Sequence, residues 1–247
     1  EEAAAARTIQ AQAARNLATG LGYASTLQQR QKDFGLEPFD PSITTGPTLV
    51  VPAAAAIALL GPRHWVPGAV AILAWSGLLA VLWWMLRARV ASSERVDLAG
   101  AVFLGLVYAS FVWHFEQWFA LLGEVSAALL VGIGAVVWAT RPTARSRIVA
   151  AGMLVGLATL TKLIAVIGAA PMVAMLLLCG RRSSRLTTRL QRVALYGAGV
   201  AVPLALFELW KLVAVGLTGY VRMYRQMLWM IAEQAAVQPV QMSLLER

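Results

Sequence analysis

The chain reads as an all-α, polytopic integral membrane protein with about six spanning helices, plus juxtamembrane helices in a first outer loop. Two observations predict this class. Of 247 residues, 59% are hydrophobic and only 13% charged, a balance outside that of soluble domains and inside that of polytopic membrane proteins. The apolar residues also gather into runs separated by short, arginine-rich loops, the pattern of helices that cross a bilayer. A water-soluble enzyme is excluded on composition. The net charge of +9 admits nucleic acid as a partner only until the basic residues are placed, and most prove to be topology signals. The expected partner is the lipid bilayer, not nucleic acid.

Residues 1–64 form the outer loop. Ala3 to Ala18 is Ala-rich and predicts a helix, stopped at Thr19-Gly20. Gly22, Gly35, Pro38 and Pro41 then make an extended loop, with Asp40 expected to cap or turn the chain before Pro41. Pro47 to Leu60 is apolar but holds 14 residues, whereas a helix rising about 1.5 Å per residue needs roughly 20 to cover about 30 Å of hydrocarbon. It therefore lies on or dips into the membrane surface. Such a run, between a polar loop and a spanning helix, suits a site that faces both lipid and water.

Residues 65–216 form the transmembrane domain. Its spans are Trp65 to Leu86, Leu98 to Trp113, Ala120 to Thr140, the pair Ile148 to Thr161 and Leu163 to Cys179, and Val193 to Gly216. The pair is too long for one span and carries Lys162 at its middle, so two short helices are expected to meet at that lysine, where a charge finds an interface or wet cavity. Arg87, Arg89 and Arg95, then Arg141, Arg145 and Arg147, then Arg181, Arg182, Arg185, Arg189 and Arg192 all fall on one side if Pro47 to Leu60 does not span. The positive-inside rule makes that side cytoplasmic. The opening segment, the His114 to Phe119 loop, Lys162 and residues 217–247 then face outward. In the last region Tyr220, Tyr224, Met227, Leu228 and Ile231 recur at helical spacing, predicting an amphipathic helix on the outer surface.

The chain opens on Glu1-Glu2 without an initiator Met and stops at Leu244-Leu245-Glu246-Arg247, so further sequence is expected at both ends. The single cysteine, Cys179, supports neither an intrachain disulfide nor a Cys-based metal site. No His/Asp/Glu spacing suits zinc and no glycine loop suits a bound phosphate, so no cofactor or metal is expected. Gly132 and Gly134 lie inside a span, where small residues serve helix packing.

The outward charges carry the chemistry. Glu124 lies about one turn into a membrane helix, where an unpaired carboxylate is costly. It is either a helix-start carboxylate favoured by the dipole or part of a binding site, and in both cases a partner is expected. Lys162 either snorkels to the interface or presents a compact cation to a lipid phosphate. His114 and Glu116 are either ordinary interfacial residues or substrate contacts.

Several stretches, taken together, resemble a known family. They are Ala14-Arg15-Asn16-Leu17-Ala18-Thr19-Gly20-Leu21-Gly22-Tyr23, Thr44-Thr45-Gly46-Pro47 before the Pro-containing run ending in Leu60-Gly61-Pro62, Leu122-Gly123-Glu124-Val125, and Gly156-Leu157-Ala158-Thr159-Leu160-Thr161-Lys162. In this order they resemble membrane glycosyltransferases of the C superfamily, and most closely the protein mannosyltransferase and lipid A aminoarabinose transferase group. The resemblance implies transfer of a sugar from a polyprenyl-phosphate donor to an acceptor on the extracytoplasmic face of a bacterial inner membrane, without a metal. In that family the catalytic carboxylate is an Asp of an Asp-Glu pair ahead of the Ala-Arg-Asn-Leu stretch, and here Glu1-Glu2 stands in that place, Glu2 lying 13 residues before Arg15. The resemblance thus implies Glu1 or Glu2 as base, Lys162 and Arg15 as cations on the departing phosphate, and Glu124 as the residue orienting a cation or the sugar. A non-catalytic carrier of lipid-linked sugars, or a membrane subunit, is the alternative reading.

Overall fold

The structure is a computed structural model that describes residues 2–25, 36–40, 43, 46–63, 65–89, 123–178 and 186–245. Helix accounts for 86% of them. The span expected at Leu98 to Trp113 and the residues His114 and Glu116 lie outside the described residues, as does Glu1.

Helix α1 (Glu2–Ala18) follows from its alanines. It ends where Thr19 returns both its backbone N–H and its hydroxyl to the Arg15 carbonyl at 3.0 Å, and Gly20 supplies φ +82°, the left-handed conformation that suits glycine. The loop that follows is not wholly irregular. Strands β1 (Ala24–Ser25) and β2 (Glu37–Pro38) pair antiparallel, Ala24 opposite Pro38. Asn16 donates its side-chain amide to the Ala24 carbonyl at 2.9 Å, tying the hairpin to α1. Two-residue strands carry too little alternation to be read from sequence.

Helix α2 (Pro47–Leu60) has Pro47 in its first turn, where a missing N–H costs nothing, and stops at Gly61, whose φ of +85° lets its N–H reach the Ile57 carbonyl at 2.8 Å. It packs on α1 and on α3 (Val66–Arg89). Ala13, Ala14, Tyr23, Phe39, Leu49, Val50, Ala53, Val66 and Met223 form one buried core beneath this layer. Burial pushes the Tyr23 phenol up, which keeps it neutral.

The second core belongs to a stack of apolar helices: α4 (Glu124–Thr140), α5 (Arg145–Thr161), a 3-10 helix (Leu163–Gly168), α6 (Ala169–Leu178) and α7 (Leu186–Leu245). Ile148, Ala151, Val155, Met172, Leu176 and Tyr196 are buried there. Helix α5 starts three residues before the expected Ile148 and ends at Thr161. Lys162 follows in an extended conformation, φ −148° and ψ 125°, so the expected break falls at that lysine, with a 3-10 turn in place of an immediate second α-helix. Helix α7 breaks at Gly216, where φ 68° and ψ 173° interrupt the helical path with a backbone conformation that glycine adopts readily.

Among the described residues, two helices are long and apolar enough to cross a membrane, Val66–Met85 and Leu186–Glu233. Pro47–Leu60, Glu124–Thr140 and Leu163–Leu178 are apolar but shorter.

Glycine sets how close α5 and α7 approach. A Cβ on Gly152 would lie 2.3 Å from the Tyr196 carbonyl, one on Gly156 would lie 2.4 Å from the Val200 carbonyl, and one on Gly199 would lie 2.4 Å from the Val149 carbonyl. The G-x-x-x-G spacing of Gly152 and Gly156 is the small-residue signature of tightly packed membrane helices, and it gives this contact a sequence signal as clear as that of Gly132 and Gly134. Because Gly152 meets Tyr196 while Gly156 meets Val200, the two helices run parallel. Gly77 meets Leu129 and Gly132 meets Val81, so α3 and α4 run parallel as well. Gly156→Leu is expected to force α5 off α7, costing about 1–3 kcal/mol as overpacking does. The check is heating of the detergent-purified protein followed by size exclusion, with the variant aggregating at a lower temperature.

Candidate functional site

Glu124 and Lys162 meet. Glu124 is the first residue of α4, where a carboxylate is favoured by the positive end of the helix dipole, and Lys162 directly follows α5, where a cation is favoured by the negative end. Their side chains pair at 3.0 Å, the lysine 17% exposed and the glutamate 55%. A pair half open to solvent contributes little to stability, about 0–1 kcal/mol. Its asymmetry matters more: the ammonium is enclosed and the carboxylate that balances it is accessible. Glu124 is the acceptor described for Lys162, and an ammonium has three N–H donors, so two remain available to an incoming anion among the described residues.

The start of α2 forms the wall beside this pair. Gly46 donates its N–H to the Thr161 carbonyl at 3.1 Å. Thr48 shares a hydroxyl contact with Thr161 and donates to the Leu157 carbonyl at 3.2 Å. The first of these bonds occupies a carbonyl at the C-terminal end of α5 that the helix itself leaves open. Space requires glycine here, because a Cβ on Gly46 would sit 1.4 Å from the Leu160 carbonyl oxygen. The stretch that the sequence singles out as a short juxtamembrane run is thus bolted, through Gly46 and Thr48, to the residue before Lys162.

Of the remaining expected site residues only Arg15 has a described side chain, and among the described residues no contact joins it to this pair. Arg15 is exposed at the end of α1 and makes no ion pair among the described residues. Glu2 begins α1, but its side chain is outside what is described, as is the whole of Glu1. Asp40 is buried, accepts the Ser25 hydroxyl, and its carbonyl takes the Ile43 N–H at 3.0 Å. It holds the turn after β2, as its place before Pro41 implies.

A second polar cluster escaped sequence reasoning. Within the apolar first arm of α7, Glu208 and Lys211 pair at 2.5 Å. Across the Gly216 kink, Tyr220 and Tyr224 donate their hydroxyls to the other Glu208 oxygen at 2.8 and 2.6 Å, while Lys211 donates to the Tyr224 oxygen at 3.2 Å and lies 4.7 Å from the Phe207 ring centre. The signal was present as a Glu-x-x-Lys spacing inside an apolar run, because ionisable residues in apolar surroundings need partners and neighbours three apart on a helix supply them. Beside it, Phe39 stacks on Tyr23 at 5.5 Å and meets Trp210 edge-on at 5.1 Å, so the β-hairpin is fastened to this end of α7. The expected lipid-facing stripe is corrected accordingly: Tyr220 and Tyr224 turn inward to Glu208, and Met223 is buried with them.

The described His, Cys, Asp and Glu residues form no group able to hold a metal ion. No family model, no curated protein and no solved structure matches the chain.

Proposed function

We infer that the protein is a membrane glycosyltransferase of the C-superfamily type, passing a sugar from a polyprenyl-phosphate donor to an extracytoplasmic acceptor. The observation that carries this reading is the Glu124–Lys162 pair at the open end of α4 and α5, walled by the start of α2. The helix directions agree with six crossings. Parallel α3 and α4, and parallel α5 and α7, are what result if α3 and α4 both run inward and α5 and α7 both run outward; on this reading Glu124, Lys162 and Gly46 share the outer side.

In the mechanism, an acceptor hydroxyl or amine loses its proton to an outer-loop carboxylate, Glu1 or Glu2, and attacks the anomeric carbon. The bond from that carbon to the phosphate oxygen breaks and its electron pair leaves with polyprenyl phosphate. The leaving group is already a stable anion, so the main electrostatic contribution is a fixed cation beside its oxygens, which Lys162 supplies and Arg15 supplements. Glu124 holds the ammonium in place and accepts hydrogen bonds from the sugar.

Radiolabelled sugar transfer from polyprenyl-phosphate donors tests this directly. Glu124→Gln is expected to lose transfer by about 10²-fold while still binding donor. Unchanged transfer would remove Glu124 from the mechanism, and donor binding by wild-type protein without any transfer would favour a carrier.

A further inference from the structure

The arm of α7 after Gly216 has one face fixed by the fold and one left open. Tyr220 and Tyr224 are held by Glu208, and Met223 is buried in the same core as Ala13, Tyr23 and Leu49. At about 100° per residue, the side chains that follow Tyr224 round the helix fall into a continuous arc of roughly 140° that holds Leu217, Val221, Leu228, Trp229, Arg225 and Arg222, all exposed. Leu217, Leu228 and Val221 occupy one side of this arc, and Arg225, Trp229 and Arg222 follow in that order on the other, the tryptophan between the two arginines. Neither Arg222 nor Arg225 makes an ion pair among the described residues.

We propose that this face lies on the bilayer surface and binds anionic phospholipid headgroups. The assignment rests on the membrane reading of the chain. Two guanidiniums without acidic partners among the described residues complement phosphate and present paired donors to its oxygens. Leucine, valine and tryptophan beside them suit burial of about 5–10 Å into the boundary between headgroups and acyl chains, with tryptophan at the interfacial level. The Glu208 clasp determines which face turns to lipid. This differs from the sequence expectation, which put both tyrosines on the lipid side. A protein partner is less well served, because its surface would have to match both the apolar strip and two unneutralised charges.

Single cysteines at Val221 and at Leu228, introduced with Cys179→Ser, carry an environment-sensitive fluorophore in the full chain, reconstituted with zwitterionic or with anionic phospholipid. A Leu73→Cys label on the exposed flank of α3 reports membrane insertion independently. The expected result is quenching of the Val221 and Leu228 labels by brominated phospholipid, with shielding from aqueous iodide greater in anionic lipid and lowered by about half in Arg222→Ala/Arg225→Ala. Equal shielding in both lipids overturns the anionic assignment. Labels open to iodide while the Leu73 label is quenched by lipid overturn the docking alone. Shielding that rises with protein concentration in lipid-free detergent overturns it in favour of a second copy. If the Leu73 label also stays open to iodide, the membrane reading fails and the proposal falls with it.

Discussion

Gly46→Ala is expected to lower the thermal stability of the detergent-purified protein and to cut sugar transfer with it, although it adds one methyl group. Gly46 has φ −75° and ψ 179°, extended backbone that alanine adopts freely. A Gly→Ala change at a compatible position is worth about 0.4–1 kcal/mol of added stability through the unfolded chain. Space reverses the sign. The new methyl would lie 1.4 Å from the Leu160 carbonyl oxygen and 2.5 Å from its carbon, and backbone atoms cannot rotate aside. The start of α2 must therefore lift off α5, losing the Gly46 N–H bond to Thr161 and the Thr48 bond to Leu157. Two hydrogen bonds at about 1 kcal/mol each and overpacking at about 1–3 kcal/mol outweigh the entropic gain.

Gly197→Ala is the matched control. No atom lies within 4 Å of a Cβ there, and alanine exceeds glycine in helix propensity by about 1 kcal/mol, so this variant should be as stable as wild type or more so. Heating followed by size exclusion compares the two. A Gly46→Ala protein that aggregates within about one degree of wild type, when about 1 kcal/mol ordinarily moves a midpoint by some 2–4 °C at this size, would show that α2 does not bear on α5 as described.

The sequence is legible where one physical constraint dominates. Pro47 to Leu60 is an apolar run of fixed length, and it forms a helix with those bounds. Lys162 interrupts an apolar run, and the helix ends at the residue before it. Glu124 near a helix start demands compensation, and it has it. The features that stayed hidden depend on distant residues meeting. The resemblance has Glu124 orient a cation or the sugar but leaves its direct bond to Lys162, 38 positions on, unnamed, and the contacts of Thr48 with Thr161 and Leu157 join α2 to a helix more than a hundred positions on. Pattern reading assigns each residue to an element and a face but does not say which faces touch. Glu208 and Lys211 were lost differently. They sit in a run whose mean hydropathy marks it as a span, and averaging concealed the charges that the Gly216 kink brings to Tyr220 and Tyr224.

Lys162→Ala is expected to reduce transfer by about 10²–10³-fold, the scale of removing one preorganised charge-stabilising donor, while expression and folding stay near wild type. The second part follows from the geometry, since a pair whose acidic member is 55% exposed contributes little to stability. Full transfer with normal expression would sink the phosphate role. The opposite substitution separates a site from a clasp. Glu124→Gln leaves an enclosed ammonium without its balancing charge, so some of its loss of activity comes through a displaced Lys162. Combining Lys162→Ala with Glu124→Gln removes both charges and relieves that imbalance. If the pair were only a clasp between α4 and α5, the double variant would recover transfer along with stability. If Lys162 acts on the departing phosphate, it recovers stability alone, and its transfer rate stays at that of Lys162→Ala. Lys162→Arg extends the same argument: the charge is kept, but a planar fork replaces a compact ammonium in a space bounded by Thr161 and the start of α2, so donor binding should survive better than turnover.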